Sequence, residues 1–217
     1  MNLKKFIPLI LCLGVIFSAH AQKDPKAKAI LDAVSKKYQS LDGLKATFEY
    51  TFIHERDGIN QTNTGEVAVK GDKYRLNLDD QEIYNNGKTS WTLIKSDSYK
   101  EVTISDVDTD FDELTPSNIY NLYKKGYNYR LLGDRTINSR SVQEVELTAE
   151  KKGSQIQRVK IMVDKSTNDL IGWEMHDNTG GLLQYKFKDV DSKVKLNDSY
   201  FAFDKTKHPG VEVIDLR

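Results

Sequence analysis

The chain has 217 residues with 32 basic and 32 acidic side chains, so it carries no formal net charge at pH 7 and no basic excess of the kind that grips a nucleic-acid backbone. Its one cysteine, Cys12, excludes an intrachain disulfide framework. Beyond the first 21 residues no apolar run is long enough to span a bilayer.

Residues 1–21 read as a cleavable export signal. Met1 to Lys5 is basic, Phe6 to Phe17 is apolar, and Ala19-His20-Ala21 is a small-x-small cleavage site. Gln22 is expected to begin a mature periplasmic protein, with residues 22–217 forming one domain. Cys12 follows Leu9, Ile10 and Leu11 inside the apolar run, without the small residue that precedes a lipid-attachment cysteine. Only Lys4 and Lys5 are charged in the signal, so the mature chain is slightly acidic and its stability must come from packing.

Asp24-Pro25 pairs an N-cap with a proline at the first helical position. Ala27, Ile30, Leu31, Val34 and Tyr38 follow at spacings of three and four, which predicts an amphipathic helix ending near Ser40. From Leu44 the period becomes two. Leu44, Ala46, Phe48, Tyr50 and Phe52 alternate with Lys45, Thr47, Glu49 and Thr51, as a half-buried strand requires. Asp57-Gly58, Gly71-Asp72 and Asn86-Gly87 mark turns. Between and after them Val67 with Val69, Tyr74 with Leu76 and Leu78, Trp91 with Leu93, and Val102 with Ile104 continue the alternation.

Thr115-Pro116 repeats the helix-start signal, and Gly126 is a candidate C-cap. Ile119, Leu122 and Tyr123 give the intervening segment an apolar stripe, so a helix from Thr115 to Lys125 is expected to lie across an open face of the sheet. Strands then resume at Val145 and Leu147, Val159 to Val163, Ile171 to Met175, and Leu183 to Phe187. The predicted class is α+β, two helices over one large, curved antiparallel sheet.

Metal and catalytic signatures are weak. The Asp106, Asp108, Asp110, Asp112 ladder begins like a calcium loop, but Phe111 and Ser117 stand where glycine and glutamate are needed, so it reads as a solvated acidic loop. His54, His176 and His208 lie on separate elements without ligand spacing. No nucleophile elbow or phosphate-binding glycine loop is present, so neither an enzyme nor a cofactor is expected.

One constellation remains, an apolar and aromatic set comprising Phe48, Tyr50, Phe52, Tyr74, Leu76, Trp91, Leu93, Trp173, Met175, Tyr185 and Phe187. Its default reading is ordinary core. A long curved sheet with only two helices to fill it can instead leave a cavity, and periodicity does not separate a filled core from a lined pocket.

Several segments occur in the order of a known family. They are Leu44-Lys45-Ala46-Thr47-Phe48, Thr64-Gly65-Glu66-Val67-Ala68-Val69-Lys70, Asn86-Gly87-Lys88-Thr89-Ser90-Trp91, Leu114-Thr115-Pro116, Phe201-Ala202-Phe203 and Pro209-Gly210-Val211. In these the chain resembles the LolA-type periplasmic outer-membrane lipoprotein carriers across nearly its whole mature length. The resemblance implies an incomplete barrel with helices as a lid over a hydrophobic cavity, lined here by the set above, with Ile119, Leu122 and Tyr123 on the lid. It implies a monomer that takes lipoprotein acyl chains from an inner-membrane export complex to an outer-membrane acceptor. It departs at Gly71, where the best-studied carriers have an arginine that ties the lid to the barrel; Arg75 lies on the next strand. The chief rival is a periplasmic sensor or interaction protein of the same fold that binds lipoprotein-like ligands, and a hydrolase is a distant third.

Overall fold

The computed structural model describes residues 23–96, 100–107 and 115–217. The export signal and three of the four ladder aspartates, Asp108, Asp110 and Asp112, lie outside the described residues, as does Leu114. Helix α1 spans Pro25–Gln39. The Asp24 carboxylate caps it by accepting from the Lys26 amide at 2.8 Å, and its other oxygen accepts from the Leu131 amide at 3.0 Å. The Asp24 amide in turn donates to the Tyr129 carbonyl at 3.0 Å, so one residue both starts the helix and fastens it to the sheet.

The strands are β1 (Leu44–His54), β2 (Ile59–Lys70), β3 (Lys73–Asn77), β4 (Gln81–Asn85), β5 (Thr89–Lys95), β6 (Lys100–Asp106), β7 (Tyr127–Ile137), β8 (Arg140–Ala149), β9 (Ile156–Asp164), β10 (Leu170–Asp177), β11 (Leu182–Asp191) and β12 (Glu212–Asp215). They form one sheet in the order β12-β6-β5-β4-β3-β2-β1-β11-β10-β9-β8-β7, open between β12 and β7. Two meanders, β1 to β6 and β7 to β11, are joined by the β1–β11 pair. The sheet is antiparallel except that β12, a strand with no clear sequence signal, runs parallel to β6. Between β6 and β7, residues 119–124 lie against the inner face of the sheet.

Directly paired residues share a face. Phe48 pairs with Phe187, Tyr50 with Tyr185, and Tyr185 with Trp173, while Ala46 pairs with Val67 and Val67 with Leu76. These define the inner face, covered by α1 and by residues 119–124. Gly65 sits opposite Phe48, and a Cβ there would come within 2.6 Å of the Phe48 ring, so the residue has to be glycine for that ring to lie flat. The outer face of the first meander is covered by the C-terminal segment. Leu196 and Phe201 pack on Ala68, and Val211 packs on Leu93 and Val102.

Candidate functional site

The inner face and its roof enclose an apolar cavity of about 120 Å³. Its floor is built by strands β1, β2, β3, β10 and β11 through Phe48, Val67, Leu76, Trp173 and Phe187, and its roof by Tyr38 of α1 with Ile119 and Tyr120. Six of the anticipated side chains are therefore in its wall, Phe48, Leu76, Trp173, Met175, Tyr185 and Phe187. Tyr50 is on the inner face beside it, its ring 5.9 Å from Phe48 and 6.1 Å from Tyr185. Phe52 is one rung further along the same strand, in an adjoining groove. Tyr74 shares the inner face through its pairing with Val69 but is not in the cavity wall.

Trp91 and Leu93 are corrected. Tyr74 pairs with Asn85 and Asn85 with Ser90, so Ser90 and Thr92 face inward and Trp91 and Leu93 face outward. There they pack with Val102, Phe203 and Val211. Their alternation is as anticipated; its phase relative to β1 is set by turn lengths, and one residue of turn decides the face. Sequence reasoning also missed Tyr38, Leu170, Val69 and Tyr120 as wall residues. Tyr38 was legible as the last member of the α1 stripe, and Tyr120 as the neighbour of Ile119.

The anticipated helix from Thr115 to Lys125 is corrected too. Thr115 and Asn118 close a turn, with the Thr115 amide donating to Asn118 Oδ1 at 2.8 Å and the Asn118 amide to the Thr115 carbonyl at 3.1 Å. A 3-10 helix, Ile119–Lys124, follows, and Gly126 ends it at φ 68°. With three residues per turn, Ile119 lies above Leu122 and Tyr120 above Tyr123, so all four can be buried by so short a segment. Ile119 and Tyr120 reach the cavity. Leu122 and Tyr123 pack instead into the core between α1 and β7 to β9.

This cap helix is fastened to α1 more firmly than three apolar anchors would allow. Tyr120 stacks on Tyr38 at 5.6 Å, and the Tyr123 hydroxyl donates to Asp32. The Ser35 hydroxyl donates to Asn121 Oδ1 at 2.7 Å, and the Lys124 ammonium donates to both Ser35 and Asn121. Inside the site, burial pushes the Tyr38 phenol up to about 12, although its oxygen accepts from the Leu170 amide at 3.0 Å. Burial also pushes Tyr185 up to about 12. Both are therefore neutral at physiological pH and suit an apolar wall. Trp173 Nε1 is buried with no hydrogen-bond partner among the described residues.

Gly71 lies at the cavity rim with φ 57°. Arg75 takes no part in the roof. It is on the outer face, where it pairs with Glu82 at 2.6 Å and stacks on Tyr84 and Tyr200. Among the described residues no group of three or more His, Cys, Asp or Glu is arranged to hold a metal ion, and no helix is long and apolar enough to cross a membrane.

An apolar cavity on one face of an open sheet, roofed by two helices, accompanies a family match over residues 17–177 to the outer membrane lipoprotein carrier protein LolA. The chain belongs to this LolA-like family. No curated protein matches its sequence. Among solved structures it is similar to an uncharacterized conserved protein from Thermus thermophilus, at 11% identity and TM-score 0.59, covering 88% of this chain and 99% of that one. Further similarities are to a LolA superfamily protein from Nitrosomonas europaea, at 14% identity and TM-score 0.46 with 82% and 98% covered, and to the Pseudomonas aeruginosa MucA/MucB complex, at 16% identity and TM-score 0.43 with 83% and 62% covered. At these identities the Thermus match speaks for the fold alone. Membership in the family rests on the match over residues 17–177.

Proposed function

We propose that this LolA-like chain is a periplasmic protein that binds acyl chains non-covalently between the inner face of its sheet and the α1 and cap-helix roof. The observation that carries this reading is the enclosed apolar space walled by Phe48, Leu76, Ile119, Tyr120, Trp173 and Phe187. Each CH₂ removed from water there contributes about 0.8 kcal/mol, so acyl carbons are held without any covalent step. The family description, an outer membrane lipoprotein carrier, supports a finer reading in which the acyl chains belong to lipoproteins; an inner-membrane export complex as donor and an outer-membrane acceptor are what the resemblance implies.

A second reading, a lipid- or lipoprotein-binding sensor that does not transfer its ligand, is favoured by the fastening of the cap to α1 through Ser35, Asn121 and Lys124. Such fastening favours retention. Native mass spectrometry after mild purification tests binding, and co-purified lipid or lipoprotein is the expected result. Stopped-flow movement of a fluorescent acyl probe from loaded protein to acceptor vesicles separates the two readings. A transfer rate that rises with acceptor concentration supports the carrier, a rate independent of acceptor supports the sensor, and protein that takes up no acyl ligand overturns both.

A further inference from the structure

The cavity is too small for its proposed ligand. A dry protein cavity of about 150 Å³ takes one benzene, so 120 Å³ accommodates only the last few carbons of a long chain. The rest has to continue somewhere. At one rim, beside Gly71, the cations are committed elsewhere. Lys70 donates to the Leu196 carbonyl at 2.7 Å and pairs with Asp198, as does Lys73 at 2.6 Å. Asp72 also lies close enough to Tyr120 to raise its phenol further, after the larger effect of burial. Among the described residues, that rim offers no uncommitted cation to an anionic head.

The opposite end differs. Met175 and Tyr185 belong both to the cavity wall and to a second, larger groove of about 860 Å³, so the two spaces adjoin at these two residues. The groove continues the inner face by one rung, because Phe52 pairs with Leu183 and Leu183 with Met175. Its floor is apolar, and its rim carries Lys125 and Lys151. A hydrogen bond of 2.8 Å from the Glu150 amide to the Gly126 carbonyl sets these two segments side by side. Neither ammonium has a partner among the described residues, whereas the one acid in the wall, Asp177, is engaged by the Thr179 amide and hydroxyl and the Gly181 amide of its own turn. Methionine at the junction is unbranched and adapts to a chain passing it.

We infer that this groove is the headgroup site for an anionic acyl amphiphile, its carboxylate or phosphate oxygens between Lys125 and Lys151 and its chain running past Tyr185 and Met175 into the cavity. The inference rests on the acyl-binding reading above and adds ligand class and direction. It makes Lys125 and Lys151 specificity residues for charge.

The test uses the mature protein carrying Trp91→Phe, an outer-face change that leaves Trp173 as the sole tryptophan of two. Hexadecanoate brominated at carbon 16 should quench Trp173 strongly, and the carbon-2 isomer weakly. In titrations with hexadecanoate, hexadecyl phosphate and hexadecanol, the two anions should bind roughly tenfold tighter than the alcohol. Lys125→Gln combined with Lys151→Gln should abolish that difference and leave hexadecanol binding unchanged. Inorganic phosphate at the same concentrations should not bind, which separates an amphiphile head from a free anion. Equal or reversed quenching by the two isomers, anion affinity untouched by the double substitution, or phosphate binding that hexadecanoate does not displace each overturns the inference. If no long-chain ligand quenches Trp173 at all, the acyl-binding reading itself falls.

Discussion

Tyr38 and Tyr120 stack with their ring centroids 5.6 Å apart and their planes at 24°, one ring from helix α1 and the other from the cap helix, and together they roof the apolar cavity. The pair makes the roof one unit assembled from two segments far apart in the chain. Stacked pairs contribute roughly 0.5–1.5 kcal/mol beyond area burial. Tyr120→Leu keeps an apolar side chain and removes the stack. Amide exchange at Asn121 and Lys125, whose N–H groups bond within the cap, should accelerate several-fold while exchange from Val159 to Val163 stays unchanged. Uniform protection in the variant would show that the roof opens only by global unfolding.

Phe48 is buried among Tyr50, Tyr185 and the cavity wall, with 4% of its surface exposed. Phe48→Glu puts an unpaired carboxylate there, at a cost of several kcal/mol, and should lower both melting temperature and acyl-probe affinity. Lys45→Glu is the outer-face comparison. It loses a cation–π contact to Tyr200 at 4.6 Å, so a small destabilisation of about 0.5–1 kcal/mol is expected with probe affinity intact. Probe binding by folded Phe48→Glu equal to that of the wild type would remove Phe48 from the lining.

Gly71→Arg tests whether this chain accepts the lid-tying residue of related carriers. Space is ample, since nothing lies within 4 Å of the added Cβ, but the backbone φ of 57° is left-handed. Holding a residue with a Cβ there costs about 1–2 kcal/mol. The expected outcome is a lower melting temperature with unchanged acyl affinity of the folded fraction. A higher melting temperature with weaker binding would instead show that an arginine can lock the roof at this position.

Acid stability should depend on Asp164, whose carboxylate accepts from the Ser166 hydroxyl at 2.6 Å and from the Ser166 and Thr167 amides. The Ser166 hydroxyl is the main cause holding its pKa below the ordinary 3.8, with the amides adding to it. A depressed folded pKa means the unfolded chain takes up the proton first. The stabilisation is therefore complete well above pH 3.8 and lost as pH falls through the lower folded value. Melting curves of wild type and Asp164→Asn should differ most near neutrality and converge below that pH. A gap that stays constant through the whole acid range would assign the effect to packing.

Much of the alternation behind the candidate site was legible in the sequence. Phe48, Leu76, Trp173, Met175, Tyr185 and Phe187 could each be placed on the covered face of its own strand, because the apolar phase of each strand is unambiguous. Trp91 and Leu93 obey the same alternation and still face the other way. An aromatic on a strand announces only that its face is covered, and here the Phe203 and Val211 segment covers the outer face as effectively as the roof covers the inner one. The cap resisted for a different reason. Thr115-Pro116 and Gly126 mark where a segment starts and stops, but the choice of a 3-10 over an α-helix turns on packing Ile119, Tyr120, Leu122 and Tyr123 all beneath a six-residue stretch.

The sequence by itself determined the local layer: helix α1 with its Asp24 cap, strands at period two, the turn glycines, and an order of segments shared with the LolA-like family. These follow from interactions within a few residues of one another, which composition and spacing encode directly. The tertiary structure alone decided which face each strand presents, that β12 would add in parallel at β6, that Ser35, Asn121 and Lys124 would tie the roof together, and that the cavity and the groove of Lys125 and Lys151 would adjoin at Tyr185 and Met175. Those relations depend on register across the β1–β11 junction and on where residues 119–124 settle against the inner face. A single residue of slip in that register would redistribute every side chain between the two faces, and nothing local in the chain reports it.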